Sequence, residues 1–226
     1  MRSKTHDLLA RSRQSQANLS VFLFLLILTG FVLPSIGIET SGSSDDIAFS
    51  VLAVVGSALA FGNRRLFSLT SPLCIVAIML RWAAWWKPTN TIVLWSLSAT
   101  LAVDLAITAV LFWQVLGPGL VTMTRIQGAI AAYLCIGWSW ANAYHIAASL
   151  NPGAFSSTGS DVSLARVWLN YSFGMLSTLG YAGIAPVTPL AHTLGSAEAV
   201  TGQLYLAVLV ARLVSMQVSA ELKDSR

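Results

Sequence analysis

The chain has 226 residues, of which 55% are hydrophobic and only 10% charged, and its mean hydropathy is +0.70. Soluble domains carry roughly a quarter charged residues, so this composition excludes a soluble enzyme and describes a membrane protein. The net charge of +4 comes from basic residues that are not clustered on a polar domain, so it signals no nucleic-acid partner. Cys74 and Cys135 both lie inside apolar runs and read as small buried hydrophobes rather than a disulfide framework.

A helix crossing a bilayer needs roughly 20 apolar residues. Taken in order, the predicted spans are Leu19–Ile38, Ile47–Gly62, Leu66–Trp86, Thr91–Leu116, Ile126–Leu150 and Thr193–Val218. The third contains only Arg81, the fourth only Asp104, the fifth only His145, and the sixth Glu198 and Arg212. The basic start and first apolar run are read as a span and not a cleaved leader, because no Ala-x-Ala site follows. Ser41-Gly42-Ser43-Ser44 and Asn151-Pro152-Gly153 read as surface loops, and Gly117-Pro118-Gly119 as a break between a four-span front half and a two-span back half. The halves show no internal repeat, which argues against an inverted-repeat transporter.

Charge sets the orientation. With the N-terminus inside, Arg2, Lys4, Arg11, Arg13, Arg64, Arg65, Arg125, Arg212, Lys223 and Arg226 fall on the cytoplasmic side. Glu39, Asp45, Asp46 and Asp161 fall outside, against Lys87 and Arg166. This is a positive-inside pattern, and it places both termini in the cytoplasm. The less apolar stretch from Asn151 to His192 must then enter and leave by one face, as a re-entrant loop. Trp82, Trp85, Trp86 and Trp95 surround Lys87-Pro88 and read as an aromatic belt at the outer interface rather than as a cation cage.

Within the re-entrant stretch lies Thr178-Leu179-Gly180-Tyr181-Ala182, inside the longer run Ser172 to Val187, SFGMLSTLGYAGIAPV. The five residues resemble the selectivity filter of potassium channels, whose usual form is Thr-Val-Gly-Tyr-Gly. The resemblance covers roughly residues 119–219 and is to the pore-loop potassium channel superfamily, in a six-span bacterial style. It implies an all-α membrane protein with six transmembrane helices and a re-entrant pore helix and filter between the fifth and sixth. Its parts would be a cytoplasmic segment 1–18, a four-helix transmembrane domain 19–116, a pore domain 117–218 and a cytoplasmic tail 219–226. It further implies a bacterial inner-membrane location and passive potassium permeation, not catalysis. Main-chain carbonyls of Thr178, Leu179, Gly180 and Tyr181 would replace the hydration shell of K+, with the Thr178 hydroxyl as the innermost ring. One strand cannot surround an ion, so the expected pore is a cyclic homotetramer in contact with membrane lipids. No cofactor beyond the permeant K+ is implied.

The resemblance assigns further roles. Asp161 would cap a short helix running to about Ser177 and pointing its C-terminal dipole at the ion cavity. Trp168, Tyr171 and Ser177 would support the filter. Pro186-Val187-Thr188-Pro189-Leu190-Ala191 would form the exit loop, and Gly202 the gating hinge, unless it serves helix packing.

Three positions depart from the family pattern. Ala182 replaces the second filter glycine, Gly183 the usual aspartate, and Gly174 a frequent pore-helix carboxylate. An L-residue in left-handed backbone costs roughly 1–2 kcal/mol. Ala182 therefore opens an alternative, a weakly selective or non-conducting pore, and beside it a membrane scaffold or regulatory subunit. Glu198 either partly replaces the missing carboxylate or finds a local hydrogen bond or the interface. His145 and His192, near the outer ends of their spans, are titratable near neutrality or are plain surface histidines. Arg81 and Asp104 are possible partners for each other. The fourth span contains no arginine, so no voltage-driven gating charge is expected, and the eight residues after Val218 leave no room for a cytoplasmic sensing domain.

Overall fold

The computed structural model describes residues 17–33, 43–62, 64–117, 122–157, 165–180 and 183–224. Among these residues there are seven helices and two short strands. The helices are α1 (Ala17–Val32), α2 (Ser43–Ala58), α3 (Arg64–Trp86), α4 (Asn90–Leu116), α5 (Met123–Leu150), α6 (Ala165–Leu176) and α7 (Pro189–Asp224). The strands are β1 (Phe155–Ser157) and β2 (Ile184–Pro186). Three segments, Leu66–Trp86, Asn90–Leu116 and Pro189–Met216, are long and apolar enough to cross a membrane. At 1.5 Å per residue, the 27 residues of α4 extend about 40 Å. The chain is thus mostly helical, with the apolar helices of a multi-pass membrane protein.

Local chemistry sets the helix ends. Thr89 caps α4 by accepting from the Ile92 amide at 3.4 Å, and Thr122 caps α5 by accepting from the Arg125 amide at 3.4 Å. The last helix starts at Pro189, ahead of the expected Thr193. Proline suits the first helical position, and Thr188 accepts from the Ala191 amide at 3.4 Å. Ser43 and Ser44, expected in a loop, belong to α2. The Asn151-Pro152-Gly153 turn forms as expected, closed by Ala154 N donating to Asn151 O at 2.9 Å. The break after α4 begins at Gly117; Pro118 and Gly119 lie outside the described residues.

Two cores organise the packing. The larger joins α1–α4 to α5, with Phe22, Leu26, Val103 and Leu111 at its centre. There α1 comes very close to α5: a Cβ on Gly30 would lie 2.3 Å from the Trp138 ring. The smaller core binds α5, α6, β1, β2 and the start of α7 around Tyr144, Trp168 and Tyr171.

The strands define the shape of the back half. β1 and β2 pair antiparallel, with Phe155 opposite Pro186 and Ser157 opposite Ile184. The chain between them therefore returns to its starting level. Its helix α6 has 12 residues, about 18 Å, which is too short for a hydrocarbon layer of about 30 Å.

Candidate functional site

The end of α6 is wound tightly. Ser177 N donates to Phe173 O at 3.0 Å, Thr178 N to Met175 O at 3.0 Å, and Gly180 N to Gly174 O at 3.1 Å. Beyond the helix the backbone changes hand. Thr178 has φ 61° and Gly180 φ 65°, while Leu179 between them is not in the left-handed region. Strands of uniform hand turn successive carbonyls to opposite sides. Residues that alternate in hand turn them to one side.

A β-branched residue in left-handed backbone is a genuine outlier, and such strain concentrates at functional sites. Gly180 has no steric reason to be glycine, since a Cβ there would meet nothing within 4 Å. Its positive φ is the reason. Thr178, Leu179 and Gly180 are exposed in the single chain, Leu179 by 78%. The Thr178 hydroxyl donates to Ser177 O at 2.6 Å. Tyr181 and Ala182 lie outside the described residues, as does Asp161. Gly183, immediately beyond, has φ 65°.

The three residues expected to support the filter have different surroundings. Trp168 and Tyr171 are buried in the smaller core, where Trp168 packs edge-on to Phe155 at 5.1 Å and stacks with His145 at 6.1 Å. Tyr171 meets Tyr144 edge-on at 4.8 Å. The Tyr171 hydroxyl is buried and finds no hydrogen-bond partner among the described residues. Ser177 is exposed and its hydroxyl donates to Phe173 O at 2.6 Å, at the end of α6. His145 is half-buried against Trp168, unlike the surface histidine considered from the sequence, whereas His192 is exposed.

Gly202 lies at a close approach of α7 to α6. Helix α7 runs through it unbroken, and a Cβ there would lie 2.2 Å from Leu176 O. One turn earlier on the same face, Glu198 is fully buried. Tyr144 Oη donates to its Oε2 at 2.5 Å, and Ser172 Oγ lies 2.5 Å from Oε1. The Ser172–Glu198 and Leu176–Gly202 pairs are each four residues apart on their helices, so they form successive rungs between α6 and α7. Glu198 therefore takes neither the interface nor a neighbour on its own helix. The spacing Glu198–Gly202 is the sequence signal for this buried stripe, an acid and a glycine one turn apart in an apolar helix.

The front half corrects one expected pair. Arg81 Nε donates to Asp46 Oδ1 at 2.6 Å, and its guanidinium lies 4.9 Å from the Phe49 ring centre. Asp104 instead accepts from Asn142 Nδ2 at 2.7 Å. Asp46, in the first turns of α2, comes level with Arg81 on α3, which leaves Asp104 to the facing helix α5. Arg81, Asp104, Asn142, His145 and Arg166 line a cavity of about 120 Å³ between the front helices and the back half. Trp85, Trp86 and Trp95 are exposed on the outside of the bundle, as a belt requires.

Among the described residues, no group of three His, Cys, Asp or Glu side chains could hold a metal ion. No protein-family model, curated protein or solved structure matches this chain.

Proposed function

We propose that the chain is one subunit of a homotetrameric pore that passes potassium ions down their gradient without voltage gating. The observation that carries this reading is left-handed backbone at Thr178 and Gly180, with Leu179 between them outside that region, directly after a short helix. It favours carbonyls facing one path, and a ring of such carbonyls can replace an ion's hydration shell. The closed β1–β2 loop supports a re-entrant segment, because non-helical backbone at membrane depth is tolerated only where protein buries it or water lines it. Six helices besides α6 then cross, with both termini cytoplasmic and the resemblance suggesting a bacterial inner membrane. The apolar stretch of α7 is largely exposed in the single chain, as befits a helix that faces lipid or neighbouring subunits. Gly202 remains the hinge candidate only if α7 can leave Leu176.

Ala182 favours a second reading, a pore of weak selectivity. The methyl group opposes left-handed backbone at about 1–2 kcal/mol per subunit. Gly183, already at φ 65°, sits one residue too late to restore the alternation.

Rubidium uptake into proteoliposomes tests the proposal. The pore reading expects uptake that depends on the protein and is blocked by barium. Uptake no greater than in empty vesicles contradicts it.

A further inference from the structure

The buried carboxyl of Glu198 joins three helices. Its oxygens reach Tyr144 on α5 and Ser172 on α6, while the residue itself belongs to α7. Ser172 Oγ has a second close neighbour, Gly137 O on α5, at 2.7 Å. The hydrogens can be counted. A serine hydroxyl has one proton, and a backbone carbonyl and an ionised carboxylate are acceptors only. With Glu198 ionised, one Ser172 proton faces two acceptors, and one buried oxygen pair meets with no hydrogen between its members.

With Glu198 protonated, every contact is filled. Tyr144 O–H donates to Oε2, the Glu198 Oε1–H donates to Ser172 Oγ, and Ser172 O–H donates to Gly137 O. Tyr133, Tyr144 and Tyr171 are the titratable groups that face the carboxyl, from α5 and α6. No basic side chain hydrogen-bonds or pairs with it among the described residues.

We propose that Glu198 is a neutral carboxylic acid that locks α5, α6 and α7 together, and that it is a positioning residue for the Thr178–Gly180 turn. Ser172 and Leu176 occupy successive turns of α6, and Thr178 lies two residues beyond Leu176. A shift of α6 at Ser172 is therefore carried into the turn. The role in permeation rests on the pore reading, whereas the lock itself does not.

The test compares wild type, Glu198→Gln and Glu198→Ala as full-length protein in proteoliposomes. Infrared spectroscopy reads the carboxylic-acid carbonyl, and rubidium against sodium uptake reads the turn. Glutamine accepts from Tyr144 and donates to Ser172, so Glu198→Gln is expected to keep selectivity within about twofold, whereas Glu198→Ala loses about tenfold. Alkaline pH is expected to lower selectivity in wild type and to leave Glu198→Gln unchanged. A carboxylic-acid band at neutral pH that disappears in Glu198→Gln supports the lock. Absence of that band in folded wild type, or Glu198→Gln behaving like Glu198→Ala, overturns it. A wild type that passes no rubidium overturns the pore reading, while the band and the order of thermal stability among the three proteins still decide the lock.

Discussion

Replacing Gly180 with alanine isolates backbone hand from packing. The glycine has φ 65°, and an added Cβ would meet no atom within 4 Å in the single chain. The cost is therefore conformational, about 1–2 kcal/mol per subunit for an L-residue in left-handed backbone. If four subunits turn together, the sum is roughly 4–8 kcal/mol, enough to shift a two-state filter almost wholly to its other form. L-Alanine at this position is expected to abolish rubidium uptake while leaving the thermal stability of the helical bundle nearly unchanged. D-Alanine, introduced by semisynthesis, favours positive φ and is expected to retain uptake. The assay is rubidium flux on the matched pair. Equal loss with both enantiomers would refute the argument from backbone hand, and full activity with L-alanine would refute the role of the turn.

Other substitutions probe different links. Gly202→Ala places a methyl group 2.2 Å from Leu176 O and is expected to destabilise the fold by about 1–3 kcal/mol, read as a lower melting temperature. An unchanged melting temperature with altered open probability would favour the hinge. Ala182→Gly is expected to raise the rubidium-to-sodium ratio, because an L-residue opposes left-handed backbone by about 1–2 kcal/mol; no change would mean that the alanine is tolerated. No steep voltage dependence is expected, since 100 mV acts on a charge ladder with about 2.3 kcal/mol per elementary charge and α4 has no arginine. A tenfold rise in open probability over about 100 mV in symmetrical solutions would contradict this.

The apolar helices were legible because hydropathy and helix length are local properties. The expected spans 66–86 and 91–116 lie within two residues of α3 and α4. A short helix ending near Ser177 is what the potassium-channel resemblance implies, and α6 ends at Leu176. Partners across helices were not legible. The sequence contains Arg81 and Asp104 as lone charges in neighbouring spans, but which acid reaches which base depends on helix offset, and Asp46 wins through its place at the start of α2. Glu198 likewise looks solitary in sequence, because its two partners lie 54 and 26 residues away. The one-turn spacing of Glu198 and Gly202 marks a stripe on α7, but its approach to Leu176 O depends on how α6 is placed.

The most direct test of the central claim is the reversal potential of the reconstituted protein under bi-ionic conditions, potassium on one side and sodium on the other. A pore whose turn at Thr178–Gly180 selects potassium predicts a potential displaced strongly toward the potassium equilibrium value, and a barium-sensitive current. A barium-insensitive current reversing near zero, or no current above that of protein-free membranes, would contradict it.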